Sequence, residues 1–389
     1  MAERLTDPKF EGKRIRLPVH FVRQDHRTCA PATLTAIANY WDKPVEQLEI
    51  VEEICYDGTP AHSERKWAED SGYVTQEFRV TWESATALID RGIPFTLTTC
   101  DPGSAHLQAV IGYDEYRHSL LIRDSGNRHS REFAVEKMLE AYKAYGPRGM
   151  AMVPKEKAEL LEGIKLPETK LYDLYYKLQL ALEKHNREFA AKVVERMVSG
   201  APDHRLTLGA ESVLARYDSD LPKSLAVIDK LAVKYPKDIN FKVNQLALLG
   251  ELGKAEDRIA TLRKINAEPD CHPIFWTQLA GELRNDNREK DTVDYLLRRS
   301  LKYRSEDSAA YAMLGGIHFE EQREAKAVEA YRFAACVDDK SENRAKEYFY
   351  AARITNDTDT ALRFLQDRVQ RFGKQSSLCL LYTSDAADE

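Results

Sequence analysis

Four residues in the first third of the chain could together carry out nucleophilic chemistry. Cys29 offers a thiol, His106 can hold and return a proton, and Asp124 can orient the histidine. Gln24 stands five residues before Cys29, close enough for its amide to join the Cys29 backbone N–H as an oxyanion hole. In such a set the cysteine sulfur attacks a carbonyl carbon, and the reaction requires neither a metal nor an organic cofactor.

The sequence around Cys29 predicts the start of a helix. A segment with apolar residues at helical spacing begins at this residue. Pro31 in its first turn is a helix-start signal, because the first turn of a helix leaves its N–H groups without an intrahelical partner and the N–H that proline lacks is not needed there. A thiol at the positive end of a helix macrodipole is favoured as the nucleophilic thiolate. A lone cysteine is more often a small buried apolar residue, so the reactive interpretation depends on the other three residues.

Two strands should bring the histidine and the carboxylate together. His106 opens an apolar strand, Asp124 closes the next one, and residues 114–118 form a turn between them. Antiparallel neighbours of this kind could place both side chains near one sheet edge. Alone, His106 could be a core histidine and Asp124 a strand-end cap. The main rival for the base is His26, which precedes the nucleophile.

The first part of the chain alternates short strand patterns with helical ones, which indicates an α+β fold with helices early and a mostly antiparallel sheet later. The predicted strands are 16–22, 73–80, 94–99, 107–113, 120–123 and 149–153, and the predicted helices are 29–41, 45–56, 64–70, 83–91 and 135–145. His62 is expected in a loop and His118 in a turn.

The order of these residues resembles a known family. Gln24 and Cys29 before a helix, His106 in a strand leading to Gly-Tyr-Asp, and then Asp124 are similar to the double-glycine leader peptidases. These are papain-like domains at the front of bacteriocin-exporting ABC transporters, with stand-alone and fused relatives. The resemblance covers about residues 15–154. It implies Cys29 as nucleophile, His106 as base, Asp124 as orienting group and Gln24 as oxyanion donor.

The sequence departs from that family at three points. Ala30 follows the nucleophile where glycine is common, and Ser125 follows the aspartate where proline is usual. The spacing from Gln24 to Cys29 is one residue shorter than in the exporters. Every chemical group of the family's site is nevertheless present.

The second part of the chain is helical and repetitive. Equivalent positions recur at intervals of 34, 34, 34, 35 and 34 residues, and an apolar residue follows each of them by four. These positions are Ala190, Ser224, Arg258, Thr292, Ala327 and Ala361. The pattern resembles the tetratricopeptide repeat, a helix–turn–helix unit, and an unrelated α-solenoid is the alternative. We expect about six units, with Arg258 in place of the usual small residue and a protein partner on the concave face.

These patterns predict four segments. A papain-like cysteine peptidase domain spans 1–154, a charged linker 155–170 and the tetratricopeptide-like repeats 171–378. Residues 379–389 resemble a translated sequencing-adapter sequence, so we expect them to be non-native and exclude them from the fold.

Composition narrows the possible partners and compartment. The formal net charge is −6, which gives no electrostatic reason to expect nucleic acid or an anionic membrane as a partner. No stretch approaches the roughly 20 apolar residues of a membrane helix, and the start lacks a signal-peptide pattern. The six cysteines show no metal-binding or disulfide spacing. We therefore expect a cytoplasmic protein that does not insert into membranes.

The resulting hypothesis is a cytoplasmic cysteine peptidase whose repeats recruit a protein substrate or partner. Two alternatives stay open. A papain-like domain could bind peptides without cutting them, although binding alone does not require a nucleophile. An acyltransferase could resolve the same thioester with an amine instead of water.

Overall fold

The structure is a computed structural model that describes residues 12–372, except for 26, 57, 102–103, 286–288 and 340. The rival histidine His26 and the expected tail 379–389 lie outside the described residues. The chain divides into two compact units, Met1–Leu248 and Leu249–Glu389. This division differs from the boundaries expected at residues 154 and 170, because the first repeats belong to the same unit as the sheet.

The first unit is built on an antiparallel sheet of seven strands. The strands are β1 (Arg14–Arg16), β2 (Tyr73–Arg79), β3 (Phe95–Asp101), β4 (Ser104–Asp114), β5 (Ser119–Arg123), β6 (Arg131–Ala134) and β7 (Arg148–Pro154). Their order is β2-β7-β3-β4-β5-β6, and β1 pairs with the far end of β4. The central strands β4, β5 and β7 are almost wholly buried, as their continuous apolar runs predict.

Five helices accompany the sheet and share its core. They are α1 (Cys29–Tyr40), α2 (Gln47–Ile54), α3 (Ala61–Asp70), α4 (Trp82–Asp90) and α5 (Val135–Ala141). Helix α1 lies against β4, and its side chains from Ala30 to Ala38 are buried. One contiguous apolar cluster joins Leu34 and Ile37 of α1 to Phe95 of β3 and Val110 of β4. This packing fixes the start of α1 over the sheet.

The structure corrects the predicted edges of the sheet. The first strand is Arg14–Arg16 rather than 16–22, because Pro18 has no N–H to donate to a ladder and residues after 16 run as irregular backbone. Strand β6 was not predicted, since its four residues are too few to show a period. His62 lies inside α3, not in a loop.

The segment expected as a linker packs against the sheet domain. Residues Lys155–Leu161 form a 3₁₀ helix, and Leu161 is buried in the same core as Phe95. Farther along, the Arg79 N–H donates to the Pro167 carbonyl, which holds the segment along β2. Residues 155–170 are therefore ordered parts of the first unit.

The rest of the chain is a series of helices. The first unit contains α6 (Thr169–Glu183), α7 (Arg187–Gly200), α8 (Arg205–Tyr217) and α9 (Leu221–Lys234). Helix α10 (Ile239–Glu251) holds the division between the units. The second unit continues with α11 (Ala255–Asn266), α12 (Ile274–Asn285), α13 (Lys290–Tyr303), α14 (Ser308–Glu320), α15 (Glu324–Val337), α16 (Glu342–Ile354) and α17 (Thr358–Phe372).

The 34-residue pattern corresponds to these helix pairs. The small residues at its key position, Ala190, Ser224, Ala327 and Ala361, are fully buried on the second helix of each pair. These buried contacts confirm the tetratricopeptide-type solenoid. No described helix is long and apolar enough to cross a membrane.

Arg258, which replaces the usual small residue, is accommodated inside the second unit. Its guanidinium lies beside Gly250, where a Cβ would come 2.9 Å from the Arg258 Nη1. The same group forms an ion pair with Glu282 at 3.0 Å. A glycine opposite and a carboxylate partner thus make room for a residue that breaks the repeat pattern.

Candidate active site

Cys29 is the first residue of α1, as predicted. The Thr28 side chain does not cap this helix, because its hydroxyl accepts hydrogen bonds from the Asp25 N–H at 2.9 Å and from Gln47 Nε2 at 3.2 Å. The first-turn N–H groups therefore add their positive partial charge beside the thiol. The buried Thr33 hydroxyl donates to the Leu107 carbonyl at 3.0 Å, which holds α1 beside the strand that carries His106.

A bulge in the β4–β5 hairpin places Asp124 on the same face as His106. Next to the turn, Asp114 pairs with Ser119. The bulge between Val110 and Gly112 shifts the pairing of the two strands by one residue, so that Ala109 pairs with Arg123. Asp124, the next residue, thereby faces the side of the sheet that His106 occupies. Without the bulge the carboxylate would point to the opposite face, since a one-residue slip reverses every side chain.

His106 and Asp124 form a hydrogen bond within this arrangement. His106 Nε2 lies 2.8 Å from Asp124 Oδ1, and the imidazole is about 29% exposed while the carboxylate is buried. The hydrogen bonds to Asp124 and then to Cys29 raise the pKa of His106 to about 9, against the opposing effect of burial. The imidazole therefore bridges Cys29 and Asp124, and it is cationic at neutral pH.

Asp124 is held as a carboxylate by several donors. Its Oδ1 also accepts the Gly126 N–H at 2.9 Å, and its Oδ2 accepts Arg131 Nη1 at 3.1 Å. These contacts, led by the hydrogen bond from His106, hold the pKa of Asp124 well below its usual range. Sequence reasoning missed Arg131, which comes from the unpredicted strand β6.

Gln24 is attached to the strand end that carries Asp124. Its backbone N–H donates to the Ser125 carbonyl at 3.1 Å, and its side-chain Oε1 accepts the Ser125 hydroxyl at 2.7 Å. Since Oε1 accepts this hydroxyl, Nε2 is the end of the amide that points away from Ser125. The serine that departs from the family pattern thus orients the amide of Gln24, and nothing in the local sequence signalled this contact.

A cavity of about 500 Å³ opens at the thiol. Cys29, Arg27 and Ala30 line it on the helix side, and Ser104 and Leu107 line it on the strand side. Residues 58–60 form a further wall. The cavity is large enough to admit a chain segment to the sulfur atom.

The Gly-Tyr-Asp motif that follows His106 supports the fold. A Cβ at Gly112 would collide with the Ile15 carbonyl oxygen, so glycine allows β1 to pair with β4. The Tyr113 hydroxyl donates to Asp90 at 2.7 Å, and the Asp114 carboxylate accepts the Arg117 N–H at 2.9 Å across the turn. These residues position the hairpin rather than the chemistry.

The other described histidines lie in different surroundings. His118 adopts a positive φ of 49° in the predicted turn, where its ring lies 4.3 Å from that of Trp82 and contacts Glu136. Burial lowers the pKa of His62, which favours a neutral imidazole. His106 is the histidine that contacts both Cys29 and Asp124.

Known proteins resemble both parts of the chain. Residues 16–150 match the family model described as Peptidase_C39 like family, and no curated protein matches the chain. The solved peptidase domain of Streptococcus ComA, a bi-functional ABC transporter involved in a quorum-sensing pathway, is 18% identical. It covers 35% of this chain and 98% of its own, with a TM-score of 0.30.

Other similar structures cover the helical part. PilF of Pseudomonas aeruginosa is 15% identical over 57% of this chain and 98% of its own, with a TM-score of 0.39. A tetratricopeptide repeat protein from Parabacteroides merdae is 11% identical over 54% of this chain and 82% of its own, with a TM-score of 0.40. The match to the family model assigns a Peptidase_C39-like domain to residues 16–150, and the buried small residues at the repeat positions identify the helices that follow as the tetratricopeptide-repeat type.

Proposed function

We propose that this protein is a cysteine peptidase in which Cys29, His106, Asp124 and Gln24 form the catalytic site. The observation that carries the proposal is the imidazole of His106, which hydrogen-bonds Asp124 on one side and Cys29 on the other. A thiol at a helix start, beside a cationic imidazole that a buried carboxylate orients, is the arrangement that nucleophilic catalysis by sulfur requires.

The mechanism follows from these contacts. The Cys29 thiolate attacks the carbonyl carbon of a peptide bond, and the oxygen that becomes negative is stabilised by Gln24 Nε2 and the Cys29 backbone N–H. The imidazolium of His106 donates its proton to the leaving amine, which departs and leaves a thioester on Cys29. His106 then accepts a proton from water as water attacks the thioester, and the acid product is released.

The helical repeats serve the same activity by binding protein. Tetratricopeptide-type solenoids present extended surfaces suited to protein segments. In this proposal the repeats select the protein substrate or hold a partner, and the reaction takes place in the cytoplasm, where a catalytic thiol stays reduced.

The test is selective alkylation of the full chain followed by intact-mass analysis. Cys29 should react with iodoacetamide near neutral pH far faster than Cys55, Cys100, Cys271 or Cys336, which are thiols outside disulfide bonds in the structure. His106→Ala should slow the reaction of Cys29. His118→Ala is the matched control and should leave it unchanged, because His118 contacts Trp82 and Glu136 instead.

Turnover of a synthetic peptide pool then separates the possible activities. Hydrolysed products that vanish in Cys29→Ala support the peptidase, whereas products joined to an added amine in place of water identify an acyltransferase. If Cys29 reacts no faster than an ordinary surface thiol and no peptide is processed, catalysis is refuted and a peptide-binding module remains.

A further inference from the structure

The sheet domain and the first two helix pairs are held together by buried polar contacts within the first unit. Arg65 of α3 forms ion pairs with Glu77 of β2 at 3.1 Å and with Asp173 of α6 at 2.9 Å. The Arg65 guanidinium also lies 4.2 Å from the ring centre of Tyr176, whose hydroxyl donates to Glu69 at 3.0 Å. These contacts fix α6 against the sheet domain.

A second contact inserts the loop before β7 into the second helix pair. Ala144 and Tyr145 pack in one apolar cluster with Leu231 of α9 and Phe241 of α10. The rings of Tyr145 and Phe241 are stacked at 5.4 Å. The repeats therefore form a fixed wall beside the sheet domain at this place.

A second, open cavity lies beside this wall and next to the one at Cys29. The second cavity has a volume of about 220 Å³, and Thr98 of β3 lines both cavities. Glu64, which lines the Cys29 cavity, forms an ion pair at 2.7 Å with Arg148, which lines the second cavity. The two cavities are therefore neighbours that share a strand residue and are linked by one ion pair.

Four aromatic side chains line the second cavity. Tyr145 comes from the loop before β7, Tyr172 and Tyr175 from α6, and Phe241 from α10. Burial raises the pKa of Tyr175 to about 12, as expected for a hydroxyl in weakly solvated surroundings.

The charged groups at this cavity are already paired. Arg148 binds Glu64 and Glu77, and Arg205 binds Glu168 and the Tyr172 hydroxyl. Four aromatic rings beside charged groups that are already paired favour an uncharged aromatic occupant, whose ring can stack or contact the tyrosines edge-on.

We infer that the cavity bounded by Tyr145, Tyr172, Tyr175 and Phe241 is a specificity pocket that receives an aromatic side chain of the peptide substrate while the peptide occupies the cleft at Cys29. The inference deepens the proposed peptidase function and rests on it. It assigns part of substrate selection to the first repeats, because α6, α8 and α10 supply walls of the pocket.

Gly209 of α8 offers a way to fill the pocket without touching the catalytic residues. It lines the cavity, and a Cβ there would meet Tyr175 at 3.6 Å, which is an ordinary contact. Gly209→Leu should therefore occupy the space that the aromatic side chain needs. Gly200→Leu is the matched control, because a Cβ at Gly200 meets nothing within 4 Å.

The experiment measures peptide binding to the full chain carrying Cys29→Ala. The probes are fluorescently labelled peptides of alanine and serine in which one phenylalanine occupies each position in turn, and affinity is read by anisotropy. We expect one position, or two adjacent ones, to bind at least tenfold more tightly than the others. Adding Gly209→Leu should abolish this preference, and adding Gly200→Leu should preserve it.

The proposed pocket would be refuted by equal affinity at all phenylalanine positions, by no measurable binding, or by a preference that survives Gly209→Leu. Thermal unfolding checks that the variants fold. If Gly209→Leu does not fold, Gly209→Ala replaces it and should weaken the preferred peptide about twofold to threefold. Turnover by the unsubstituted chain is scored separately. If the chain prefers one phenylalanine position but hydrolyses no peptide, the pocket hypothesis stands and the peptidase hypothesis is refuted. If the chain hydrolyses peptides without such a preference, only the pocket hypothesis is refuted.

Discussion

Ser125→Ala tests whether the Gln24 amide acts as an oxyanion donor. The Ser125 hydroxyl donates to Gln24 Oε1 at 2.7 Å, so it fixes the orientation of the amide. Alanine removes that donor and lets the amide rotate about its last torsion. Ser125 touches no reacting atom in our mechanism and acts only as a positioning residue.

The expected loss in kcat of Ser125→Ala follows from the strength of one hydrogen bond. An intramolecular hydrogen bond between neutral groups contributes about 0.5–1.5 kcal/mol, which corresponds to a loss of about twofold to tenfold in kcat. Gln24→Ala removes the donor itself, for which a loss on the order of 100-fold or more is typical. The two substitutions should therefore differ by about tenfold or more.

The assay is a double-mutant cycle on hydrolysis of a peptide substrate. If Ser125 acts through Gln24, the double variant Gln24→Ala/Ser125→Ala should be no slower than Gln24→Ala alone. Cys29 alkylation should be unchanged in all three variants, since neither side chain holds the thiol. Ser119→Ala is the matched control, because Ser119 is an equally buried serine at the start of β5 whose hydroxyl contacts Glu132 instead.

Two results would refute this reasoning. Additive losses in the double variant would mean that Ser125 influences the reaction by a route other than Gln24. Full activity in Gln24→Ala would place the oxyanion hole elsewhere.

Three further predictions follow from other contacts. The pKa of His106 is raised to about 9, so its proton is present below that pH and lost above it. We therefore expect kcat/KM for peptides to fall as pH rises through about 9, because the leaving amine then lacks its proton donor. The rate of Cys29 labelling by iodoacetamide should not fall over the same range. Arg148→Met leaves Glu64 and Glu77 buried without their shared partner, so urea unfolding should show a loss of about 3–5 kcal/mol, and a loss under 1 kcal/mol would contradict the buried network. Gly112→Ala should displace β1 and lower the melting temperature, and an unchanged temperature would argue against the close approach of Ile15.

Local sequence patterns predicted the parts of the site that depend on local structure. The helix start at Cys29 has its own proline signal, and the strand carrying His106 has a clear apolar run. The 34-residue period was visible because four of the six repeats bury a small residue at the same position. In each case the feature that forms the element lies within a few residues of it.

Contacts between distant segments could not be predicted in the same way. Arg131 reaches Asp124 only because a four-residue strand folds beside β5, and Ser125 meets Gln24 across about a hundred positions of sequence. The bulge near Ile111 has no signature of its own, yet it decides which face Asp124 occupies. Such contacts depend on tertiary packing, which periodicity does not encode.

The ion pairs of Arg65 bear on why the repeats and the sheet domain share a chain. Taking Arg65 and Glu77 out of water costs free energy that apolar side chains would not incur, so such a network is weak evidence for stability. The directional contacts of Arg65 with Glu77 and Asp173 instead define one orientation of α6 on the sheet. A flexible tether would raise only the local concentration of a bound protein. In our proposal, a fixed orientation lets Tyr172 and Tyr175 of the same helix serve as walls of the specificity pocket, which a tether could not achieve.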